Sequence, residues 1–343
     1  MTKSIILTGG FGFIGSSLVE YLNKQGISPH IIENQDNVGE KWRNFMGLRF
    51  TLLDSIYDIN KVDGPVSIVH LGANVDTREK MNRQLWRNNL TFTTDLFGAA
   101  QEYQVVDKFI YASSGAVYGN EENDFSERIR GLKPTNAYAA TKLLVDNHFF
   151  GTGKKWESPR VYGLRFFNVY GSGREQAKGD MASLVYKGLN RLTPLYNTGD
   201  QINPLSGGVI GHPLPPTGPN PKGPHWSLFK SHRPDIKDGE QKRDFIHVED
   251  ICKGIYHFLT TDAPSGIYNL GSGTARTFND LIKAIDPNLP IEYVEMPEVL
   301  RPQYQYRTCA DLTKLREVAG YKEPFLTLEE GIEKTREWLK TNG

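Results

Sequence analysis

The feature that most constrains this 343-residue chain is a glycine-rich turn directly after its first apolar run. The run at 5–7 is typical of a buried parallel strand, and Gly9, Gly12 and Gly15 follow it before an amphipathic stretch at 16–23. Glycines permit a tight turn and a close approach of backbone to ligand, and the N–H groups at a helix N-terminus attract phosphate. A strand, a glycine turn and a helix in this order therefore predict a binding site for the pyrophosphate of a dinucleotide.

The composition argues against several classes of partner and site. Lys plus Arg and Asp plus Glu balance at 40 each, so nothing indicates nucleic acid or an acidic membrane surface. No apolar stretch approaches the roughly 18 residues of a membrane helix, and charged Lys3 leads into the first strand without a signal peptide. Cys252 and Cys309 are too few for a disulfide framework or a cysteine metal site, and the histidines lack metal-ligand spacing. We therefore expect a soluble cytoplasmic protein without a metal centre.

Apolar runs alternate with helix-like stretches through the first half of the chain. Further short strands are predicted at 30–33, 49–53, 66–71, 108–112 and 161–167. Between them, apolar residues recur at helix spacing, as at 88–102. This alternation predicts an α/β fold of Rossmann type, with a doubly wound parallel sheet that binds ligands at the carboxyl ends of its strands. We expect residues 1–170 to form this NAD(P)-binding domain.

The pattern is less regular after residue 170. The elements predicted there are strands at 243–247, 266–270 and 291–294, and helices at 181–192, 248–259, 278–285 and after Thr327. We predict that 171–343 forms a smaller α/β substrate-binding lobe, while strands from about 240–270 contribute to the first domain. The segment 199–225, in which 13 of 27 residues are Gly or Pro, is predicted to be an irregular insertion.

Ser114, Tyr138 and Lys142 form a candidate catalytic set. Tyr138 and Lys142 stand at i and i+4, so a helix would present them on one face. A free phenol loses its proton near pH ~10, and a nearby ammonium and a positive nicotinamide both favour the phenolate. The tyrosine could thus act as an acid–base at neutral pH, while Lys142 holds ribose hydroxyls and Ser114, at a strand end, binds the reacting oxygen.

An acid at the end of the second predicted strand bears on the cofactor. Glu33 comes 18 residues after Gly15, where dinucleotide-binding folds hold the adenosine ribose. A carboxylate there favours NAD because it binds a free 2′-hydroxyl. Asn34 and Lys41 follow closely and could instead hold a 2′-phosphate. The residues by themselves leave NAD and NADP both open.

Four motifs resemble the extended short-chain dehydrogenase/reductase family. They are TGGFGFIG at 8–15, ASSGAVYG at 112–119, YAATK at 138–142 and LRFFNVYG at 164–171. Members of that family are NAD(P)-dependent epimerases and dehydratases of nucleotide sugars. The resemblance implies a nucleotide-diphosphate sugar as substrate and a homo-oligomeric enzyme.

The second half of the chain narrows this resemblance. Segments 178–183, 228–245, 304–312 and 319–325 are similar to members that invert a side-chain carbon of ADP-heptoses for the lipopolysaccharide core. The likeness implies tightly held NADP, with NAD as the alternative. It implies oxidation at C6″ with Tyr138 as base, and return of the hydride to the other face of the ketone. It also implies a second acid–base at Lys178, since inversion needs proton chemistry from two directions.

The glycine turn, the strand ends and the resemblance together assign residues to the two ligands. The expected cofactor contacts are Gly9, Gly12, Phe13, Ile14, Gly15, Glu33, Asn34, Lys41, Asp54, Leu71, Gly72, Ala73, Asn74, Val75, Asn89, Lys142, Val169 and Lys178. The expected substrate contacts are Ser114, Asn168, Asp180, Lys187, Phe229, Lys230, Ser231, His232, Arg243 and Tyr304. Arg243 is the natural partner of the diphosphate because a guanidinium offers a bidentate fork.

Other functions remain open on the same scaffold. A C4 epimerase does not need Lys178, and a GDP-heptose enzyme would differ in the nucleotide. A dehydratase requires a Thr-Asp-Glu run after the strand-end serine, whereas Gly115 and Ala116 follow Ser114 in this chain. A cofactor-sensing regulatory protein would commonly lose the tyrosine or the lysine, and this chain has both.

Overall fold

The computed structural model describes residues 4–34, 38–77, 80–103, 106–120, 125–192, 225–288 and 290–342. Its strands are β1 Ser4–Thr8, β2 His30–Ile32, β3 Thr51–Leu53, β4 Val66–His70, β5 Val106–Ser114, β6 Arg160–Phe166, β7 Asn168–Tyr170, β8 Trp226–Phe229, β9 Lys242–His247, β10 Gly266–Leu270, β11 Ala275–Thr277 and β12 Ile291–Val294. Its α-helices are α1 Phe13–Lys24, α2 Trp42–Phe45, α3 Arg83–Trp86, α4 Phe92–Glu102, α5 Ala137–Phe150, α6 Leu184–Leu192, α7 Val248–Thr260, α8 Phe278–Ile285, α9 Thr313–Glu317 and α10 Leu328–Asn342.

The largest sheet is parallel throughout and runs in the order β10-β6-β5-β4-β1-β2-β3. This is the doubly wound order, in which the direction of winding reverses between β1 and β4. The reversal leaves a crevice at the carboxyl ends of those two strands. The Rossmann-type α/β fold predicted from the alternation of strands and helices is confirmed.

Helices cover both faces of this sheet. Neighbouring residues of β1 point to opposite sides, so Leu7 packs in one apolar cluster with Leu18 of α1 and Ile255 of α7. Ile6 packs in the other cluster, which includes Phe97 of α4. Burial on both faces explains why these strands read as continuous apolar runs in the sequence.

The remaining strands form two smaller sheets. A three-stranded sheet has the order β11-β9-β7, and β8 pairs with β12. Side chains from α6, α8 and α10 form an apolar cluster with strands of these sheets, and its members include Trp226, Phe245, Leu281 and Ile332. Strand β10 joins the main sheet, whereas β9 joins the smaller one, so the strands expected from 240–270 are divided between the two. The domain boundary at 170/171 stays a prediction.

The chain crosses between the two sheets at one residue. β6 ends at Phe166 and β7 begins at Asn168, and the Phe167 amide donates a hydrogen bond to the carbonyl of Leu270 at 3.2 Å. The sequence predicted one strand over 161–167 and missed β7, because this three-residue strand begins at the polar Asn168 and is followed directly by Gly171.

The helix predicted at 181–192 begins later than expected. A helical turn at Gly173–Met181 precedes it, with Gly179 at a φ of 52°, and α6 starts at Leu184. Thr277 and Asp280 form a capping box at the start of α8. Of the insertion predicted at 199–225, residues 199–224 lie outside the described part of the chain. Among the helices that the structure describes, none has the length and apolar character needed to cross a bilayer.

Candidate active site

A cavity of about 1570 Å³ opens where the winding of the main sheet reverses. Gly9, just after β1, and Gly72, just after β4, both line it. Side chains of the smaller sheet reach the same space, as Phe245 of β9 shows. Ligands of doubly wound folds bind at this crevice, so the cavity is the candidate site.

The glycine turn is shaped for close contact with a ligand. Gly9 has a φ of 71°, and a Cβ atom there would lie 2.6 Å from the Gly72 amide nitrogen. A Cβ atom on Gly15 would collide with the carbonyl oxygen of Gly9. Gly12 precedes the first residue of α1 and offers no side-chain cap, and the first turn of the helix holds no acid. The N–H groups of that turn can therefore bind an anion such as a pyrophosphate.

A buried asparagine braces this turn from behind. The Asn44 side-chain amide donates to the carbonyl oxygens of Phe11 and of Arg174, each at 3.1 Å. The contact with Arg174 spans 130 residues of sequence. Asn44 was not predicted, since its short helix, α2, carries no motif.

Two carboxylates and an ammonium lie at the end of the cavity beside β2 and β3. Glu33, Lys41 and Asp54 line it there, as does Asn34. The Glu33 carboxylate accepts hydrogen bonds from the amides of Phe11 at 3.0 Å and Asn34 at 3.3 Å. Glu33 is thereby fixed against the glycine turn.

The candidate catalytic residues meet in the same cavity. Ser114 ends β5, and Tyr138 and Lys142 lie one turn apart on α5, whose N-terminus is capped by Asn136. The Lys142 Nζ atom donates to the carbonyl oxygen of Ala112 at 2.8 Å and lies 5.9 Å from the centre of the Tyr138 ring. The structure thus brings Ser114 together with two residues that lie 24 and 28 positions later in the sequence.

The electrostatics of this set differ from the expectation. Burial raises the pKa of Tyr138, and the hydrogen bond with Ser114 opposes that rise. Burial lowers the pKa of Lys142 to about 8, with Asp146 acting in the opposite direction. Ser114, rather than Lys142, is the protein group that favours the Tyr138 phenolate, because Lys142 is directed at a backbone carbonyl.

A buried line of polar groups connects the end of β4 to α5. The imidazole of His70 bonds Thr8 Oγ1 through Nδ1 at 2.6 Å and Thr93 Oγ1 through Nε2 at 2.8 Å. Thr93 donates to the backbone carbonyl of Asn89, whose side chain donates to Thr141 of α5 at 3.1 Å. Burial lowers the pKa of His70 to about 3, so the ring is neutral at physiological pH. The sequence signal was a polar residue inside an apolar strand, and it was missed.

Asn89 lies behind the cavity wall rather than on it. Its side chain accepts from the Asn74 amide at 2.7 Å and donates to the Asn74 carbonyl at 2.9 Å. It is 1% exposed. The remaining expected cofactor contacts line the cavity, including the run 71–75 that Asn89 holds, together with Phe13, Ile14, Val169 and Lys178.

Lys178 reaches the cavity from the helical turn Gly173–Met181. Its Nζ atom lies 5.2 Å from the centre of the Phe13 ring and 3.9 Å from Glu175 Oε2. Glu175 is fully buried and was not predicted. The sequence offered only its spacing of three residues from Lys178 as a signal.

Most of the expected substrate contacts form a separate cluster beside the cavity. Asn168 lines the cavity, whereas Arg243 and Tyr304 do not. The Arg243 guanidinium is fully buried, 5.2 Å from the Tyr304 ring and 5.5 Å from the Phe278 ring. Its Nε and Nη2 atoms have no hydrogen-bond partner among the described residues. Arg243 lies two residues before Phe245 on β9, so it shares the face of the strand that borders the cavity.

Apart from Ser114, the other expected substrate contacts whose side chains are described also lie outside the cavity lining. Lys230 pairs with Glu295 at 2.9 Å, and the His232 amide donates to the hydroxyl of Tyr306 at 3.0 Å. The ring of Phe229 is 6.5 Å from that of Tyr304. Ser231 Oγ donates to a backbone carbonyl in its own loop, and Lys187 lies on α6 away from the cavity. The side chain of Asp180 lies outside the described residues. The described residues contain no cluster of His, Cys, Asp and Glu suited to a metal ion.

Comparison with known proteins agrees with this architecture. Residues 5–271 match the model of the NAD dependent epimerase/dehydratase family. The chain is 34% identical over 351 residues to ADP-L-glycero-D-manno-heptose-6-epimerase of Fusobacterium nucleatum, covering 96% of this chain and 95% of that one. It is 36% identical over 360 residues to the enzyme of the same name from Pseudomonas paraeruginosa, covering 98% of each. The crystal structure of the Helicobacter pylori enzyme of that name superposes with a TM-score of 0.74 at 22% identity, over 99% of this chain and 96% of that one. The chain therefore belongs to the NAD dependent epimerase/dehydratase family.

Proposed function

We propose that this chain is an epimerase that interconverts ADP-D-glycero-D-manno-heptose and ADP-L-glycero-D-manno-heptose. The observation that carries the proposal is that a phenol and a primary amine, Tyr138 and Lys178, line one cavity from different elements. Tyr138 belongs to α5 on the main sheet, and Lys178 belongs to the helical turn that follows β7 of the smaller sheet. Inversion at a carbon needs proton transfer on two sides of the substrate, and two such groups can provide it.

The cavity fits a nicotinamide adenine dinucleotide. Backbone packs directly against Gly9 and Gly15, where a Cβ atom would collide, and the first turn of α1 offers free amides to a pyrophosphate. The bound dinucleotide would accept a hydride and return it. Lys142 is placed to hold ribose hydroxyls, and Glu33 to hold the adenosine ribose.

We propose NADP as the cofactor, on the resemblance and on Lys41 and Asn34 beside the ribose position. The carboxylates of Glu33 and Asp54 at the same end favour the alternative, NAD, by repelling a 2′-phosphate. Release of the cofactor by denaturation, followed by chromatography, distinguishes the two. NADP(H) in the supernatant supports the proposal, and NAD(H) alone overturns it. If NADP is the cofactor, Lys41→Ala is expected to weaken binding of NADP more than binding of NAD, because only NADP carries the 2′-phosphate.

Proton transfer in the proposed reaction falls to Tyr138 and Lys178. Tyr138, which is hydrogen-bonded to Ser114, takes the proton of the C6″ hydroxyl as the hydride leaves that carbon, and Ser114 would then bond the reacting oxygen. The ketone then turns over in the cavity. Lys178 supplies the proton to the oxygen when the hydride returns to the opposite face. Tyr138 then releases its proton to water and Lys178 takes one up, so both side chains are restored and substrate and product differ only in configuration.

We assign the sugar and its diphosphate to the smaller lobe, residues 171–343. Arg243 supports this assignment, because its buried guanidinium, two residues along β9 from Phe245 of the cavity lining, suits a diphosphate, and its Nε and Nη2 atoms lack a hydrogen bond of ordinary geometry among the described residues. Because Arg243 does not line the cavity, binding of the diphosphate would require the residues packed around its guanidinium, including Tyr304, to move and expose it to the cavity.

The decisive experiment is to incubate the purified chain with ADP-D-glycero-D-manno-heptose and follow C6″ by NMR. Appearance of the L-glycero epimer to an equilibrium mixture supports the proposal. Absence of conversion by a preparation that retains bound cofactor contradicts it. GDP-linked heptose and UDP-glucose serve as parallel substrates, because faster turnover of either would assign the chain to a GDP-heptose enzyme or a C4 epimerase instead.

A further inference from the structure

Glu175 is a buried carboxylate at the base of the helical turn that carries Lys178. It is fully buried, and its oxygens accept hydrogen bonds from the Gly171 amide at 2.8 Å, the Ser183 amide at 2.7 Å and the Ser183 hydroxyl at 2.9 Å. Burial raises the pKa of Glu175, and the nearby Lys178 ammonium and these three donors oppose that rise by stabilising the anionic form. The carboxylate therefore ties the end of β7 to the start of α6.

Lys178 is the cation nearest to this carboxylate among the described residues. The two side chains stand three positions apart on a turn of 3₁₀ type, in which residues i and i+3 lie one above the other. Lys178 Nζ is 3.9 Å from Glu175 Oε2 and 24% of the side chain is exposed, toward the cavity. The Phe13 ring covers another side of the ammonium. Lys178 thus has one anionic contact below it and the cavity above it.

The neighbouring residue anchors the same turn to the rest of the molecule. Arg174 Nη2 lies 2.8 Å from Glu20 of α1, and Arg174 Nη1 donates to the carbonyl of Asn44. The guanidinium also stacks 5.6 Å from the Trp338 ring of α10. With Arg174 and Glu175 both held, the turn cannot move Lys178 without breaking buried polar contacts.

We propose that the Glu175 carboxylate is a positioning residue for Lys178: it holds the ammonium at the cavity wall and stabilises its positive charge. The inference rests on the proposed function for its catalytic meaning. Glu175 itself does not line the cavity, so it acts through Lys178 and not on the substrate.

The charges around Lys178 make this role specific. Burial lowers the pKa of Lys178, and Glu175 is the charged group that opposes the decrease. From the elements packed against the turn, Glu20 of α1 pairs with Arg174 and with Lys24, so its charge is already balanced. Removal of the Glu175 charge leaves burial unopposed, and the Lys178 ammonium then loses its proton at lower pH.

The test is a direct titration of Lys178 in the full-length protein. Lysines are reductively methylated with [¹³C]formaldehyde, and the Lys178 signal is identified by its loss in Lys178→Arg. We expect the midpoint in Glu175→Gln to fall by about one to three pH units relative to the unsubstituted chain, as for an ammonium that loses an adjacent carboxylate. An unchanged midpoint overturns the proposal. This measurement uses no substrate, so its outcome is independent of whether the chain epimerises an ADP-heptose.

Two further variants keep the test decisive. Glu249→Gln removes a carboxylate that pairs with Lys253 and Lys334 on another face, and it should leave the Lys178 midpoint unchanged. If Glu175→Gln does not fold, Glu175→Asp retains the charge but withdraws it by one methylene, and a smaller shift in the same direction is expected. A folded Glu175→Asp with an unshifted midpoint overturns the proposal. With active protein, the alkaline limb of the kcat/KM profile should move with the NMR midpoint.

Discussion

The Lys142 ammonium donates a hydrogen bond to the carbonyl oxygen of Ala112 at 2.8 Å, which joins α5 to the end of β5. Ser114 lies two residues beyond Ala112, and Tyr138 lies one helical turn before Lys142. This contact, together with the hydrogen bond from the Tyr111 hydroxyl of β5 to Asp146 of α5 at 3.0 Å, fixes the register between the strand that carries the serine and the helix that carries the phenol. The catalytic assignment depends on that register.

Tyr138→Phe removes the phenolic proton carrier and leaves the ring in place. We expect kcat for epimerisation to fall on the order of a hundredfold or more, since general acid–base groups contribute at least that much. The rate is measured by NMR with ADP-D-glycero-D-manno-heptose. Tyr57→Phe is the matched control, because the Tyr57 side chain is 62% exposed and lies outside the cavity. Equal rates for the two variants would remove Tyr138 from the mechanism.

Lys178→Met removes the second proton carrier at nearly constant length. Epimerisation should decrease on the order of a hundredfold, while the amount of bound cofactor stays close to that of the unsubstituted chain. Both quantities are measured on one preparation, by NMR and by absorbance after denaturation. Lys24→Met, at a lysine side chain that is 69% exposed, should retain full activity. Full activity in Lys178→Met would contradict the two-base mechanism.

Gly15→Ala tests the pyrophosphate turn. The added methyl group would collide with the Gly9 carbonyl oxygen, so the turn must distort and the protein should be purified without cofactor. Gly98→Ala is the matched control: it lies on α4, where a Cβ atom meets nothing within 4 Å. That variant should keep its cofactor and gain up to about 1 kcal/mol of stability from helix propensity. Cofactor retained in Gly15→Ala would mean that the dinucleotide does not use this turn.

The buried imidazole of His70 predicts acid sensitivity. Its pKa of about 3 in the folded chain lies below the ordinary value of 6.5, so between these values the unfolded chain binds the additional proton. Stability therefore decreases as pH falls through that window, by about 2 kcal/mol at pH ~5 from this one group. Urea unfolding at pH 7 and pH 5 should show a smaller decrease for His70→Asn.

The control for this effect keeps the imidazole and removes its partner. Thr93→Val deletes the hydroxyl bonded to His70 Nε2, so it should lower stability at both pH values but retain the acid dependence. If His70→Asn and the unsubstituted chain lose stability equally between pH 7 and pH 5, another group is responsible.

Local patterns predicted much of the fold and part of the site. The glycines of the turn after β1 lie within a few positions of one another in the sequence, and so do the two residues on α5. The geometry of each group follows from turn or helix periodicity. Asn44 and Glu175 were missed because their partners are set by packing, as the 130-residue separation of Asn44 and Arg174 illustrates. Asn89 was placed on the cavity wall and lies one layer behind it, since spacing along a chain does not distinguish a lining residue from the residue that supports it.

The crossing of the chain at Phe167 affects how the two lobes can move. Only this residue separates β6 from β7, and its amide is already bonded to Leu270 of β10. The residues on the far side, Asn168 and Val169, form part of the cavity wall. A rotation of the smaller lobe to admit a sugar would therefore move Asn168 and Val169, which line the space proposed for the dinucleotide. Binding of either ligand would thus change the shape of the site that binds the other.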